Sequence, residues 1–197
     1  MILSTEFAVP IFEPVFVRVA SFVLVTAALT AISWRPLHNM RCHGFYRFFV
    51  FEWIALLFFL NIPYWCKNRF SMPQLISWVS LLASLAFVFS GLFQLRRFGG
   101  GNKRPQQPEN LSFENTSRLV TTGIYRYVRH PMYSSLGSLA WGIFLKHMSL
   151  AGLFITVLST GFIFATAKIE EKENIAFFGP SYIAYKKRSK MFIPYVL

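Results

Sequence analysis

Long apolar runs alternate with short polar segments along this chain of 197 residues. Four of the runs, at 15–33, 45–65, 75–95 and 149–169, each hold about 20 residues, the length that a helix needs to cross about 30 Å of hydrocarbon. A fifth, shorter run covers 132–147. The pattern predicts an all-α, polytopic membrane helix bundle with about five transmembrane helices.

The longest polar stretch, at 96–118, separates the first three runs from the last two. A chain of this length leaves no room for a separate soluble domain beside several spans, so we expect one membrane domain covering 1–197. Its parts are three N-terminal spans (1–95), a cytoplasmic loop ending in a polar motif (96–133), and a C-terminal helical hairpin with the segment that follows it (134–197).

The composition supports a membrane protein and narrows its chemistry. Hydrophobic residues make up 54% of the chain and charged residues only 14%, which is too apolar for an ordinary soluble domain. The eight acidic residues are all Glu, which excludes an aspartyl nucleophile or an Asp-centred metal site. The net charge of +12 comes from basic residues between the apolar runs, so we expect no nucleic-acid partner.

The distribution of these basic residues predicts the orientation of the spans. If the N-terminus is outside, the inner loops hold every Lys and Arg except Arg18, Lys67, Arg69 and Lys146. Loops rich in Lys and Arg remain in the cytoplasm. We therefore expect an outside or lumenal N-terminus and a cytoplasmic C-terminus, in a cell inner membrane or the endoplasmic reticulum.

The last two runs are so close in sequence that their helices should form an antiparallel hairpin. At 1.5 Å per residue, Pro131 at the start of the first helix and Glu170 at the end of the second differ in depth by only roughly 7 Å. We therefore expect both to lie at the cytoplasmic interface. Small residues, among them Gly137, Gly142, Gly152 and Gly161, should let the two helices pack closely.

The densest cluster of polar and aromatic residues, 121–133, leads into this hairpin. Pro131 suits the first turn of a helix and places His130 where loop becomes helix. Free backbone donors there, flanked by Arg126 and Arg129, would suit a ligand carboxylate or phosphate. A basic and aromatic belt at the membrane surface explains the composition equally well.

Three of the eight acidic residues, Glu170, Glu171 and Glu173, stand at the other end of the hairpin. By themselves they could be a solvated helix end paired with Lys168 and Lys172. Carboxylates at the C-terminal end of a helix oppose its dipole, however, and a bound cation or ligand hydroxyls would compensate. We expect the helix to continue to Phe178 and to stop at Gly179-Pro180.

Together these residues carry a resemblance that covers about 119–194 in order and spacing. The matching elements are Gly123-x-Tyr125, Arg129-His130-Pro131-x-Tyr133, Glu170-Glu171, Phe178-Gly179-x-x-Tyr182-x-x-Tyr185 and Ile193-Pro194. This part of the chain resembles the superfamily of isoprenylcysteine carboxyl methyltransferases and phospholipid methyltransferases, which are integral membrane enzymes that use S-adenosylmethionine.

The resemblance implies that S-adenosyl-L-methionine binds on the cytoplasmic side of the bundle. The implied cofactor-binding residues are Gly123, Tyr125, His130, Pro131, Tyr133, Glu170, Glu171, Tyr182 and Tyr185, and the implied catalytic residues are His130, Arg129 and Glu171. A carboxylate or thiolate acceptor would need no base, whereas an amine acceptor would need one, for which His130 and Glu171 are the candidates.

The implied function is methyl transfer to a lipophilic or membrane-partitioning acceptor, namely an isoprenylcysteine-like carboxylate, a phospholipid amine, or a small thiol or acid. Members that act on prenylated proteins often keep a basic residue where this chain has Met191 and Phe192, so the acceptor stays open. One alternative is a membrane sterol or steroid reductase using NADPH, although such proteins more often show Gly-Glu where this chain has Ser134-Ser135. A non-enzymatic transporter or assembly subunit is the other.

Two charged residues, Arg47 and Glu52, lie within the second span, where ionisable groups are candidates for function. Glu52 either lines an acceptor cavity or is hydrogen-bonded to another helix. We predict no metal site, because His38, Cys42 and His43 form one short loop without a fourth ligand.

Overall fold

The computed structural model describes residues 14–100 and 116–195. These residues form α-helices and two short 3₁₀ helices, without β-strands, which confirms the predicted all-α bundle. Residues 1–13 and most of the predicted central loop, 101–115, lie outside the described residues. The α-helices are α1 (Val15–Ile32), α2 (Trp34–Leu37), α3 (His43–Asn61), α4 (Met72–Phe98), α5 (Pro131–Phe144), α6 (Leu150–Phe178) and α7 (Pro180–Arg188).

Four of the described helices, α1, α3, α4 and α6, are long and apolar enough to cross a membrane. Their most apolar stretches have a mean hydropathy between 1.6 and 2.2. The fifth predicted span is the shorter helix α5, whose 14 residues rise only about 21 Å and fall short of a full crossing. The protein is therefore an integral membrane bundle in which α5 is supported by its neighbours.

The helices pack in antiparallel pairs, with α4 along α5 and α3 along α6, while α1 contacts the outer face of α3. The core between them is apolar, with Leu57, Ile143 and Ala140 almost completely buried. Because lipid also solvates apolar side chains, the many exposed Phe, Leu and Val residues of α1 and α4 fit a lipid-facing surface.

We expected the small residues of α5 and α6 to lie at the contact between these two helices, and most of them do not. A Cβ at Gly142 would lie 3.0 Å from Leu81 Cδ2 of α4, and Cβ atoms at Gly137 and Gly161 would meet nothing within 4 Å. Only Gly152, whose Cβ would lie 3.3 Å from Phe144 Cδ2, brings the hairpin helices close. The prediction is wrong for the other three because α5 packs mainly on α4 and α6 packs mainly on α3.

The end of the bundle where α3 ends and α6 begins, which we call the distal end (residues 61–78 and 142–149), is tied together by polar side chains. Asn61 Nδ2 donates to Ile143 O at 3.1 Å, and Ser77 Oγ donates to Gly142 O at 2.7 Å. The buried Lys146 Nζ donates to Gln74 Oε1 at 3.0 Å and lies 3.5 Å from the centre of the Trp78 ring. Each of these groups satisfies a polar atom that lipid could not.

Helix α6 has 29 residues, about 43 Å, and so extends beyond a single crossing. It stops at Gly179, whose φ of 59° and ψ of −135° only glycine adopts easily, and Pro180 starts α7. The predicted stop is confirmed. Glu170 and Glu171 lie about two turns before this stop, so they are interior residues of the helix, and our expectation that they oppose its dipole at the C-terminal end is wrong.

Candidate functional site

The site forms where the start of α5 meets the last turns of α6, and a segment after α7 fixes it in place. His130 is the residue before the first turn of α5. Its backbone N donates to Met191 O at 3.1 Å, and Arg129 N donates to Lys190 O at 2.8 Å. These bonds, with the parallel bridge between Val128 and Lys190, align 127–130 with 190–192. The polar motif is therefore held by backbone pairing as well as by its proline.

The imidazole of His130 lies between the two adjacent glutamates. Its Nδ1 is 3.8 Å from Glu170 Oε2, and its Nε2 is 3.7 Å from Glu171 Oε1. One ring face stacks on Tyr133, with the centroids 5.4 Å apart. The side chain is buried, and Nε2 has no hydrogen-bond partner among the described residues. Since buried polar atoms are normally satisfied, this nitrogen indicates a position for a ligand atom.

Glu171 is the centre of a buried ionic network. Arg129 Nε donates to its Oε1 at 2.9 Å, and Lys186 Nζ lies 2.6 Å from its Oε2. The Nη1 of Arg129 also donates to the carbonyl oxygens of Lys186 and Ser189. Arg129 thus joins α6, α7 and the segment after α7 through one side chain, and its contacts fit a positioning role better than direct contact with a reacting atom.

Three buried tyrosines form an aromatic wall beside the glutamates. Tyr125 belongs to the 3₁₀ helix Gly123–Arg126, and Tyr182 and Tyr185 face inward from α7. Tyr185 Oη donates to Tyr125 O at 2.6 Å. Burial raises the pKa of all three phenols above the ordinary value, and the charge of Glu170 raises it further for Tyr125 and Tyr182. They therefore stay neutral and present ring faces and hydroxyls.

These groups surround a cavity of about 250 Å³. Seven of the predicted cofactor-binding residues line it, namely Tyr125, His130, Pro131, Tyr133, Glu170, Tyr182 and Tyr185, whereas Gly123 and Glu171 do not. Further into α3, α4 and α5, the lining becomes apolar, with Phe51, Val88 and Leu136. The cavity thus has one polar and one apolar end.

Gly123 supports this cavity from outside. Its φ of 58° lies in the left-handed region, and a Cβ there would lie 2.3 Å from Gln94 Nε2 of α4. Glycine therefore allows the chain to turn sharply against α4 and to enter the short helix that carries Tyr125. The structure places Gly123 as a residue that shapes the backbone behind the cavity.

Two residues of the cavity wall could not be found from the motifs. Asn174 lies one turn after Glu170 on α6 and donates to its Oε1 at 3.4 Å. Arg47 reaches the wall from α3 and is buried. Its position within an apolar span was the available signal, but sequence alone could not show which way it faces.

Glu52, the predicted acceptor residue, does not line this cavity. Its Oε2 accepts a hydrogen bond of 2.9 Å from Thr26 Oγ1 of α1, on the outer side of α3. This contact matches the second of our two interpretations, a hydrogen bond to another helix. We therefore do not carry Glu52 into the acceptor site.

Comparison with known proteins extends the resemblance. Residues 76–180, more than half of the chain, match the family model described as phospholipid methyltransferase. The protein-S-isoprenylcysteine O-methyltransferase of Homo sapiens is 31% identical over 130 residues, which cover 63% of this chain and 45% of that protein. The enzyme of that name from Saccharomyces cerevisiae is 39% identical over 88 residues, covering 42% and 35%.

A methanethiol S-methyltransferase from Crocosphaera subtropica is 32% identical over 79 residues, covering 40% of this chain and 30% of that protein. The chain thus spans less than half the length of these relatives. No solved structure gives a significant match. The family model, whose match includes all of α5 and α6 and therefore His130 and both adjacent glutamates, shows that this chain belongs to the phospholipid methyltransferase family.

Proposed function

We propose that the protein is a membrane methyltransferase that uses S-adenosylmethionine and methylates a lipophilic or membrane-partitioning acceptor. The observation that carries the proposal is the meeting of His130 with Glu170 and Glu171 at a cavity that is polar at one end and apolar at the other. The relatives are named as an O-methyltransferase for isoprenylcysteine and an S-methyltransferase for methanethiol, which supports methyl transfer as the reaction.

The residues of the cavity fit the chemical groups of this cofactor. Glu170 can accept from ribose hydroxyls or an ammonium group, and its carboxylate favours a nearby cation such as the sulfonium. The rings of Tyr133 and Tyr182 offer faces for an adenine base or for the cation. The unsatisfied Nε2 of His130 offers one more polar contact.

Bound in this cavity, the cofactor would supply an electrophilic methyl group. That chemistry would be transfer of the methyl group to the acceptor nucleophile, with the electron pair of the broken carbon–sulfur bond left on sulfur, and Glu170, His130 and Tyr182 would hold the cofactor for it. The protein contributes position and shelter from water. Holding two reactants in line about 3 to 3.5 Å apart can supply much of the acceleration.

The three predicted catalytic residues take different parts in this proposal. Glu171 is engaged with Arg129 and Lys186 and does not line the cavity, so Glu171 and Arg129 would act by holding His130 and the segment after α7 in place. His130 would contact ligand directly, and it is the better placed of the two candidates for a base if the acceptor is an amine. A carboxylate or thiolate would require no base.

The apolar part of the cavity points to an acceptor that arrives from the bilayer. Phe51 of α3, Val88 of α4 and Leu136 of α5 belong to three different helices, so this part of the cavity lies between spans. A lipid chain or other apolar group could be buried there while its nucleophile reaches the polar end. We propose such an amphiphile as the acceptor.

The charge distribution supports a cytoplasmic position for the site and the C-terminus. The cavity end of the bundle carries the exposed cations Arg41, Arg126 and Lys187, while Lys67 and Arg69 lie near the distal end. Cys66, exposed at the distal end, offers a direct test, because Cys42 is buried. A membrane-impermeant maleimide applied to intact cells should label Cys66, and labelling only after permeabilisation would reverse the orientation.

The function itself is tested by calorimetry on the purified chain in detergent. We expect S-adenosylmethionine and its demethylated product, S-adenosylhomocysteine, to bind, and we expect Glu170→Ala and His130→Ala to weaken both by at least about tenfold. Arg41→Met, an exposed residue outside the cavity, is the matched control. Binding of NADPH alone would contradict the proposal, as would the absence of binding by any of the three ligands.

Transfer of a labelled methyl group should then be followed into extracted membrane lipids, long-chain acids and small thiols. Product in the lipid or long-chain fraction supports the amphiphilic acceptor. Methylation confined to small soluble thiols would contradict it while leaving the methyltransferase proposal intact.

A further inference from the structure

We propose that Arg47 is the carboxylate-binding residue of the cavity and that His43 and Glu173 are its positioning residues. This inference rests on the proposed function and adds a role for α3, whose residues precede the segment matched by the family model. The carboxylate belongs either to the amino-acid part of the cofactor or to the acceptor. Both sources present the same chemistry to a guanidinium.

The burial of Arg47 is the first observation. The residue is 4% exposed and lies within a span, where a charged side chain is costly and marks a functional position by default. It lines the same cavity as Glu170 and Tyr182. A planar guanidinium matches a carboxylate with paired hydrogen bonds, which makes Arg the preferred residue for this recognition.

The engagement of the second arginine of the described cavity wall is the next observation. Arg129 uses its Nε on Glu171 and its Nη1 on the carbonyl oxygens of Lys186 and Ser189. Those contacts orient it toward the protein. Arg47 enters from the opposite helix, so it extends the cationic surface of the cavity to a second wall.

His43 and Glu173 form a hydrogen-bonded clamp at the start of α3, and this clamp fixes the direction of Arg47. Glu173 accepts from both the backbone N of His43, at 3.1 Å, and its Nδ1, at 2.6 Å. With the Nδ1 proton directed to the carboxylate, the Nε2 of His43 accepts from Arg47 Nη1 at 3.5 Å. A guanidinium has five N–H donors on two edges, so a contact to His43 through Nη1 is compatible with binding a ligand carboxylate as well.

The clamp also gives Glu173 a role of its own. Glu170 and Glu171 lie beside His130 at the start of α5, whereas Glu173 contacts His43 at the start of α3, so the three glutamates interact with two different helices. Nothing in their sequence spacing separates these tasks.

Calorimetry with two ligands tests whether Arg47 binds the carboxylate of the cofactor. S-adenosylhomocysteine carries the carboxylate, and 5′-methylthioadenosine lacks the whole amino-acid part. If Arg47 holds the cofactor carboxylate, Arg47→Met should weaken S-adenosylhomocysteine by about 10- to 100-fold and leave 5′-methylthioadenosine unchanged. Arg47→Lys, which keeps the charge without the paired donors, should fall between.

Binding of dodecanoate and dodecanol tests whether Arg47 binds the carboxylate of the acceptor. If Arg47 holds the acceptor carboxylate, Arg47→Met should remove the preference for dodecanoate over dodecanol and leave S-adenosylhomocysteine unchanged. In either case, Glu173→Gln should weaken binding of the same ligands as Arg47→Met does, with a smaller loss of affinity of about three- to tenfold. A merely structural defect would instead weaken all four ligands alike.

The outcomes separate this inference from the proposed function. If the wild-type chain fails to bind S-adenosylhomocysteine, the proposed function fails first. If the wild type binds it, and Arg47→Met and Arg47→Lys resemble the exposed control Arg41→Met with every ligand, the role of Arg47 is refuted. Should Arg47→Met not fold, Arg47→Lys and Glu173→Gln still decide the question.

Discussion

The two ends of the bundle both bury basic side chains, but they do so in different ways. At the distal end, Lys146 is bound by Gln74 and covered by the Trp78 ring, and no unsatisfied ligand-facing atom accompanies it. At the other end, which we call the site end (residues 43–47, 125–133 and 170–192), Arg129 and Arg47 border a cavity. There His130 keeps a buried nitrogen without a partner among the described residues.

The contrast shows that a buried charge is weak evidence of function by itself. Lys146 stabilises the packing of the distal end, since its ammonium contacts an amide oxygen and an aromatic face. The site end combines buried charge with open volume and an unsatisfied polar atom, and this combination is what indicates binding.

Removing the carboxylate at the centre of the buried ionic network should have the largest effect. Glu171→Ala leaves Arg129 without its buried ionic partner, and we expect a loss of about 3 to 5 kcal/mol in the free energy of unfolding. Chemical unfolding in detergent measures it. Glu170→Ala is the matched control, because Glu170 is more exposed and should change stability by less than about 1 kcal/mol while weakening cofactor binding. Equal stability losses for both variants would show that the network around Glu171 does not support the site.

The distal end should respond in stability alone. Lys146→Met keeps the apolar stem and removes the ammonium from Gln74 and Trp78, and we expect a loss of about 2 kcal/mol. Affinity for S-adenosylhomocysteine should stay within about twofold of the wild type. A tenfold loss of affinity would contradict the conclusion that the distal end contributes to stability and not to ligand binding.

Alkaline pH should affect the two ends with opposite sign. Burial lowers the pKa of Lys146 below the ordinary 10.5, so the unfolded chain binds the extra proton and stability rises as pH approaches that value. The raised pKa values of Tyr125 and Tyr182 keep them protonated in the folded state, so stability falls as pH rises above about 10.

Each group should contribute at most about 1.4 kcal/mol per pH unit. Unfolding free energies measured between pH 8 and pH 11 check both signs. Lys146→Met should remove the rising contribution, and Tyr182→Phe should reduce the falling one. A Tyr182→Phe profile identical to that of the wild type would contradict the neutral buried phenol.

A smaller effect is expected at the turn behind the cavity. Gly123→Ala forces a left-handed backbone on alanine and pushes the Gln94 side chain aside, at a cost of about 1 to 2 kcal/mol. Binding of S-adenosylhomocysteine should weaken slightly because Tyr125 moves with the turn. Gly161→Ala, a helical position with open space around it, should be neutral or stabilising. Comparable losses in the two variants would exclude a special role for the turn.

The smallest effect should come from Glu52. Glu52→Gln keeps an oxygen that can accept from Thr26 Oγ1, so we expect a change within about 0.5 kcal/mol and unaltered binding of S-adenosylhomocysteine and dodecanoate. Weaker dodecanoate binding would return Glu52 to the acceptor site.

The features that the sequence could predict are those set by local pattern and chain connection. The length of the apolar runs gives the spans, and Gly179-Pro180 marks the end of α6. The short turn between α5 and α6 constrains the depth of their other ends, so His130 could be expected near Glu170 before any coordinates were known.

Contacts between distant helices could not be predicted in this way. His43 and Glu173 are 130 positions apart, and nothing in either helix specifies the other as its partner. In lipid an apolar face can turn toward the bilayer or toward another helix, so hydropathy alone does not orient a span. For the same reason the direction of Arg47 and the partner of Glu52 remained open, and Gly142 was placed at the contact with α6, whereas it faces α4.

The pairing of 127–130 with 190–192 has a consequence for how the protein is made. All four long spans are complete by Phe178, yet the backbone N of His130 finds its acceptor only at Met191, and the side chain of Arg129, already paired with Glu171, completes its contacts only at Ser189. During synthesis, a nascent chain could therefore be fully inserted and still lack a formed site. A stop codon just before Ser189 would leave an inserted bundle whose site cannot close, so membrane insertion alone would be a poor measure of whether a variant is functional.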